Sequence, residues 1–478
     1  MQKMSGERSI DEPLSAESRR RGRLTGWLEG ASTPVFVAYA IVASFGAYFC
    51  MYAFRKPFAA ARFDGEMFLG GEIELKSAII ISQVLGYALS KYIGIRAVSE
   101  LPPRYHAAAL VGLIVWGEGA LFLFAQLPND AKVIGIFLNG LSLGMVWGLV
   151  VRFLEGRVTS ELLLAGLSAS FIVSSGVVKD FGRALMSGRI AEMWSSVPAV
   201  GQWIHSWMGQ VSEAWMPAIT GLHFLPVFLF FVWMLVQMPV PTERDADERH
   251  RRESMGSERR WAFWKAYWPG LVLLIAAYFL LTAFRDFRDN FAVELFEGLG
   301  YPYSGNETII SEAETWTAVG VIGFLAMLNF FRHPRRGLIA TFTVMTAGTL
   351  LLGAATLALQ LGWISGFAWM VLIGLGSYLA YVPYGSLLFE RLMASSGVVG
   401  TAVFAIYVAD AVGYTGAVGI LLFKDIWAAD VARLDFFRSF TWLMSAGGAA
   451  CLIWSAWVFL RRDRSLGDSS DVNREGSA

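Results

Sequence analysis

Val35–Phe54 runs for 20 residues without a charged side chain, and apolar runs of similar length recur to the end of this 478-residue chain. A helix of about 20 residues rises roughly 30 Å, the thickness of the bilayer hydrocarbon core. Inside lipid such a segment satisfies its own backbone only as a helix or a closed barrel strand. The runs are roughly Val35–Phe54, Leu75–Val98, Ala107–Leu127, Val133–Leu154, Leu162–Leu185 and Pro217–Met238, then Tyr267–Phe287, Ala313–Phe331, Leu338–Leu361, Phe367–Phe389, Val398–Phe423 and Phe437–Leu460. The sequence therefore predicts an all-α polytopic membrane protein with twelve transmembrane helices and the lipid bilayer as its surroundings.

Charge is sparse, 16% of residues against 55% hydrophobic, and it is segregated. Lys plus Arg equal Asp plus Glu at 39 each, which offers no basic surface to a nucleic acid. The longest polar stretch, Pro239–Arg260, lacks apolar periodicity and separates two sets of six runs. The expected organisation is a cytoplasmic N-terminal tail over 1–30, a six-helix half over 31–238, a cytoplasmic linker over 239–265, a second six-helix half over 266–461, and a disordered polar tail over 462–478. Alternate loops carry Arg96 and Arg104, Arg152 and Arg157, the linker, Arg335 and Arg336, Arg391, and Arg461 onward. The positive-inside tendency then places both termini in the cytoplasm of a cell inner membrane. Cys50 and Cys451 sit in apolar runs and are too few for a disulfide framework or a metal cluster. No loop shows metal-ligand spacing or a Ser-His pattern, so neither a metal, a cofactor nor an enzyme is expected.

The chain writes one stretch twice. Ala47-Tyr-Phe-Cys-Met-Tyr-Ala-Phe-Arg55 returns as Ala277-Tyr-Phe-Leu-Leu-Thr-Ala-Phe-Arg285, six of nine positions identical at an offset of 230. At an offset of 234, Gly140 matches Gly374, Arg157 matches Arg391 and Gly166 matches Gly400. Corresponding runs therefore correspond: 1 with 7, 4 with 10, 5 with 11. An even number of spans per half makes the halves parallel, related by an axis along the membrane normal.

Six plus six helices with a long central loop is the arrangement of the major facilitator superfamily, which the chain resembles. Within it, two motifs are similar to the organophosphate:phosphate antiporters. One is Tyr48-Phe-Cys-Met-Tyr52-Ala-Phe-Arg55-Lys56, close to that family's Tyr-rich first helix, with Pro57 where the family usually has Asn. The other is Tyr87-Ala-Leu-Ser90-Lys91-Tyr92-Ile93, close to its Ser-Lys-aromatic motif. The resemblance implies a monomeric transporter in which Arg55, Arg285 and Lys91 contact a phosphoryl group in a central cavity.

Read from the residues alone, Tyr48, Tyr52 and Arg55 share one helical face, as do Tyr278, Thr282 and Arg285. Paired arginines preceded by hydroxyls suggest an anion site between the halves, the substrate being a small anionic organic solute. Alternatively, Arg55 ends its helix at the membrane interface and reaches for headgroups. Asp289, at i+4 from Arg285, is placed to neutralise it. Lys91 is deep enough to reach a cavity and long enough to reach its edge. Glu118 and Asp410 lie near mid-membrane and are candidates for proton coupling or gating, Asp410 on a face with Tyr407 and Tyr414; Lys179 is a further gating candidate. Tyr378, Tyr381 and Tyr384 read first as packing or interface residues. Three functions stay open: an anion transporter coupled to phosphate or protons, a transporter of another solute, and a non-transporting sensor on the same fold.

Overall fold

The computed structural model describes residues 23–155, 157, 159–195, 211–241, 257–328, 330–331, 333–389, 391–392 and 403–475. Twelve long helical segments are present among them. In chain order they are α1 Thr33–Tyr52, α2 Leu75–Glu100, α3 His106–Gln126, α4 in two pieces Lys132–Leu143 and Val146–Leu154, α5 Ser160–Met186 and α6 Met216–Val236. The second half has α7 Ser257–Asn290, α8 Ile309–Leu328, α9 Pro334–Gln360, α10 Gly366–Ser386, α11 Val403–Trp427 and α12 Arg433–Glu475. A lone antiparallel bridge, Met67 with Glu74, is the one β feature among the described residues.

Ten of the twelve segments are long and apolar enough to cross a membrane, and the chain is a multi-pass membrane protein. The other two, α2 and α11, are as long and carry charged residues within their spans. Their polar residues include Lys76, Gln83 and Lys91 on α2, and Asp410, Lys424 and Asp425 on α11. The two helices pack on each other between the halves, so a strip of each meets protein rather than lipid.

The repeat seen in the sequence is a repeat of packing. α1 lies against α5 and α6 as α7 lies against α11 and α12; α2 packs on α4 as α8 does on α10; α3 packs on α4 and α6 as α9 does on α10 and α12. The halves meet through α2 with α11 and α5 with α8. Gly140 and Gly374 show why a glycine recurs at this place. A Cβ on Gly140 would run into the Gln83 carbonyl of α2, and one on Gly374 would sit 2.8 Å from Thr317 Oγ1 of α8. Gly140 lets α4 approach α2 at backbone distance, whereas Gly374 leaves room for the side chains of Arg288 and Thr317.

The two copies of the repeated stretch end differently. α1 stops at Tyr52, and the N–H groups of Ala53, Phe54 and Arg55 turn to carbonyls three residues back. Pro57, which has no N–H to continue an α-helix, then opens a 3₁₀ turn over Pro57–Ala60. α7, with no proline there, stays helical through Arg285 to Asn290. The expectation that Tyr48, Tyr52 and Arg55 share one helical face is corrected accordingly: Arg55 lies in the turn. Two boundaries also move. α7 begins at Ser257, inside the stretch expected to be linker, and α12 continues as helix to Glu475 through the tail expected to be disordered. Residues 1–22, 196–210, 242–256 and 393–402, and the Tyr407 side chain, lie outside the described residues.

Candidate functional site

The connections α1–α2, α7–α8 and α11–α12 lie together at one face, joined by Arg62 to Glu297 (2.7 Å) and Arg433 to Glu74. This face is called distal below, and the opposite one proximal. Although Arg55 and Arg285 sit near the distal ends of α1 and α7, their guanidinium groups do not. Arg55 Cζ lies 3.9 Å from the Tyr87 ring centroid and 5.7 Å from that of Tyr52. Tyr87 is twelve residues into α2, about 18 Å from its distal start at 1.5 Å per residue. Arg285 Cζ lies 4.3 Å from the Tyr381 ring, fifteen residues into α10, about 22 Å by the same rise. Phe54 and Phe58, flanking Arg55, are fully buried in protein. Arg55 therefore does not end its helix among headgroups.

Both guanidiniums stack on tyrosine faces, contacts worth roughly 2 kcal/mol when desolvated. Among the described residues no carboxylate pairs with either one, and Nε of each is buried without a hydrogen-bond acceptor. Tyr52 interacts electrostatically with both arginines. Tyr48 packs edge-on against Tyr52 and against Trp147 of α4 (centroids 5.7 and 4.8 Å apart). The site is thus a tyrosine-walled centre holding two arginines without an ion-pair partner among the described residues, Asp286 acting on Arg285 only at longer range.

One helical turn beyond Tyr87, Lys91 Nζ lies 2.7 Å from Asp410 Oδ2. Tyr278 donates to the other carboxylate oxygen and its Oη lies 3.1 Å from Tyr381 Oη, from which it can accept, its ring stacked on that of Tyr381 at 5.2 Å. Lys91 also faces the rings of Tyr87 and Tyr414, at 5.4 and 5.1 Å. Asp410 is the expected mid-membrane acid, and α2 of the other half supplies its counter-ion.

Asp289 is not a partner of Arg285, as its i+4 spacing suggested. The α7 backbone turns its carboxylate toward the N-terminal half, where two buried ammonium groups compete more effectively for it. Lys56 Nζ lies 2.6 Å from Asp289 Oδ2 and donates to Asn290 Oδ1 at 2.9 Å; Lys179 Nζ lies 2.6 Å from Asp289 Oδ1 and donates to its carbonyl. Ser175 donates to the same oxygen as Lys179. Lys179 is fully buried, and so is Lys76, which pairs with Glu294 and donates to the Ala59 carbonyl at 3.0 Å. Asp180 accepts the Ser311 backbone N–H at 2.7 Å. Apart from the Lys76 bond to Ala59, these contacts join one half to the other, and together they close the distal face.

Glu118 stands apart. It is 6% exposed, twelve residues into α3 and wedged against Gly221 of α6, and neither carboxylate oxygen has a hydrogen-bond partner.

Sequence reasoning undervalued Tyr381, which carries Arg285 and contacts Tyr278, and gave Lys56 no role of its own. The i, i+4 spacing of Tyr87 and Lys91 was a usable signal, since it puts an aromatic face and a cation on one strip of α2. Lys56 gave no such signal, because its partners come from the other half.

These helices, their two parallel halves and the site between them define the fold of the major facilitator superfamily. Solved structures agree at the level of fold. A D-xylose–proton symporter superposes with a TM-score of 0.57 at 13% identity, over 88% of this chain and 97% of its own. A bacterial homologue of the human lysosomal transporter Spinster, inward-facing and unoccupied, gives 0.58 at 12%, over 90% and 99%. A point mutant of the nucleoside transporter NupG gives 0.53 at 12%, over 88% and 99%. No curated protein matches the sequence. The profile of DUF5690, a family of unknown function, matches residues 57–199 and 195–462, and the chain belongs to that family.

Proposed function

We propose that this protein is a secondary active transporter of a small anionic organic solute, a phosphorylated metabolite being the best fit, working by alternating access with phosphate exchange or proton coupling. The observation that carries this reading is the pair of half-buried arginines, Arg55 and Arg285, neither of which forms an ion pair with a carboxylate among the described residues and each of which keeps a buried Nε without an acceptor. An empty, desolvated pair of like charges is unfavourable; a dianion between them removes the repulsion and accepts forked, charge-assisted bonds from both. Because one arginine comes from each half, such a ligand draws the halves together, which is the motion that alternating access needs. Lys91 is close enough to join them by exchanging Asp410 for the ligand. The resemblance of the Tyr48–Lys56 and Tyr87–Ile93 motifs to organophosphate:phosphate antiporters supports the phosphoryl group. The structures this fold resembles include a D-xylose–proton symporter and a nucleoside transporter, so the fold itself accommodates organic solutes. The loop arginines support a cell inner membrane location with both termini cytoplasmic, the distal face then being extracytoplasmic. The working unit in this reading is the monomer.

The test is binding and uptake of inorganic phosphate and glycerol 3-phosphate by the purified protein. A hydrogen bond to a charged group is worth about 1.5 to 3 kcal/mol, so Arg55→Lys and Arg285→Lys should each weaken binding roughly tenfold or more, measured by calorimetry. Lysine keeps the charge and loses the planar fork. Wild-type affinity in both lysine variants would refute the anion clamp. Tight binding without uptake in proteoliposomes would favour a sensor.

A further inference from the structure

Resting on the transporter reading above, we propose that Glu118 is a proton-binding site, set directly behind the turn that carries Arg55, and that gain and loss of its proton moves that turn. Glu118 lies at about 18 Å along α3 from its proximal start, near the middle of the span. Its carboxyl group packs against Gly221 so closely that a Cβ there would collide with Oε2, and the same Cβ would lie 3.0 Å from the Phe54 ring. The carboxyl and the Phe54 ring are therefore neighbours, and Phe54 immediately precedes Arg55.

Polar bonds tie the same place to the site. Asn139 of α4, fully buried, donates to the Phe54 carbonyl at 2.9 Å and to the Gly117 carbonyl at 3.0 Å. Gln83 of α2 donates to Asn139 Oδ1 at 3.0 Å and to the Arg55 carbonyl at 2.8 Å. The α3 backbone next to Glu118 and the backbone of the Arg55 turn thus share one buried amide network. A displacement at Glu118 has a rigid route to the guanidinium.

A protonated carboxyl is neutral and tolerable in this pocket. An ionised one, with no donor or cation, is not, and must leave it. Among the described residues, no charged side chain acts on Glu118 electrostatically. The turn after α1 presents Phe54 and α6 presents Gly221, while α4 presents Asn139 and Ser142 to the neighbouring Gly117. The titratable neighbours on those elements are engaged elsewhere: His223 Nδ1 on the Ile219 carbonyl with its ring against Phe181, and the Arg55 guanidinium over Tyr87. Asp410, the other mid-membrane acid, has Lys91 and Tyr278 to hold its charge, which leaves Glu118 as the acid that must change its surroundings to ionise. In a transport cycle the carboxylate takes one proton from water at one face, forming its O–H bond, and returns it to water at the other.

Glutamine has the shape of the protonated acid and cannot release a proton. Infrared difference spectra of the purified protein across a pH series should show a titrating carboxylic-acid C=O band that Glu118→Gln abolishes and Asp410→Asn retains. Gly221→Ala, which crowds the carboxyl, should shift the same band and serves if Glu118→Gln does not fold. In proteoliposomes loaded with inorganic phosphate, Glu118→Gln should still exchange labelled phosphate but lose accumulation driven by a pH gradient. A band that survives Glu118→Gln, or accumulation by that variant equal to the wild type, would overturn the proposal. Failure of the wild type to exchange phosphate counts against the anion reading instead, and the infrared band alone then decides the proton site.

Discussion

Asp289 shows how far a single carboxylate's role depends on what the opposite half brings to it. Spacing along α7 pairs it with Arg285, in which case Asp289→Asn would free that arginine. The folded protein gives it Lys56, Lys179 and Ser175 instead, all from the N-terminal half. Removing one partner from a buried charge cluster typically costs about 3–5 kcal/mol because the remaining charges stay desolvated. Asp289→Asn should therefore loosen the distal closure and leave the Arg285 stacking on Tyr381 untouched. Faster hydrogen–deuterium exchange over residues 53–61 and 286–296, compared with wild type, is the expected result. Unchanged protection there would mean that the cluster does not hold the face shut.

Among the helices, α2 and α11 meet between the halves, where Lys91 faces Asp410, and the small residues mark where helices of one half close on each other. Gly140 is the clearest case, since the obstacle its Cβ would meet is backbone, the Gln83 carbonyl, and cannot swing aside. Overpacking of this kind costs about 1–3 kcal/mol, and occasionally more. Gly140→Ala should lower the thermal stability of the purified protein accordingly. It should also disturb Gln83, which holds both Asn139 and the Arg55 carbonyl. Gly148, with only Val98 side-chain carbons at 3.5 Å or more from such a Cβ, is the matched control and should accept alanine.

Taken whole, the molecule is two similar halves held at the distal face by polar contacts between them, with the site beneath. If opening that face is part of its working cycle, fastening it should stop transport without harming the fold. Ser187 Oγ and Tyr303 Oη lie 3.1 Å apart across the halves. In a protein with Cys50 and Cys451 replaced by alanine, Ser187→Cys with Tyr303→Cys should cross-link through a short bifunctional thiol reagent, abolishing uptake. A cleavable reagent should restore uptake on reduction. Full activity of the cross-linked protein would show that the halves do not separate there.

Twelve helices and two parallel halves were legible in the sequence, because each rests on a local or periodic property. Apolar length sets a span, and duplication leaves matched residues at a constant offset. The tertiary structure alone decided which charges are compensated. An ion pair between halves joins residues with no sequence relation, such as Lys91 with Asp410 or Lys56 with Asp289. The same holds for the turn after Tyr52: Pro57 ends the helix, but the Tyr87 ring of α2 receives the arginine. Glu118 and Asp410 looked alike as lone acids in apolar helices. Folding supplied a lysine and a tyrosine to Asp410 and set Glu118 against Gly221 and Phe54, because α2 and α7 face the centre while α6 turns its small residue toward α3.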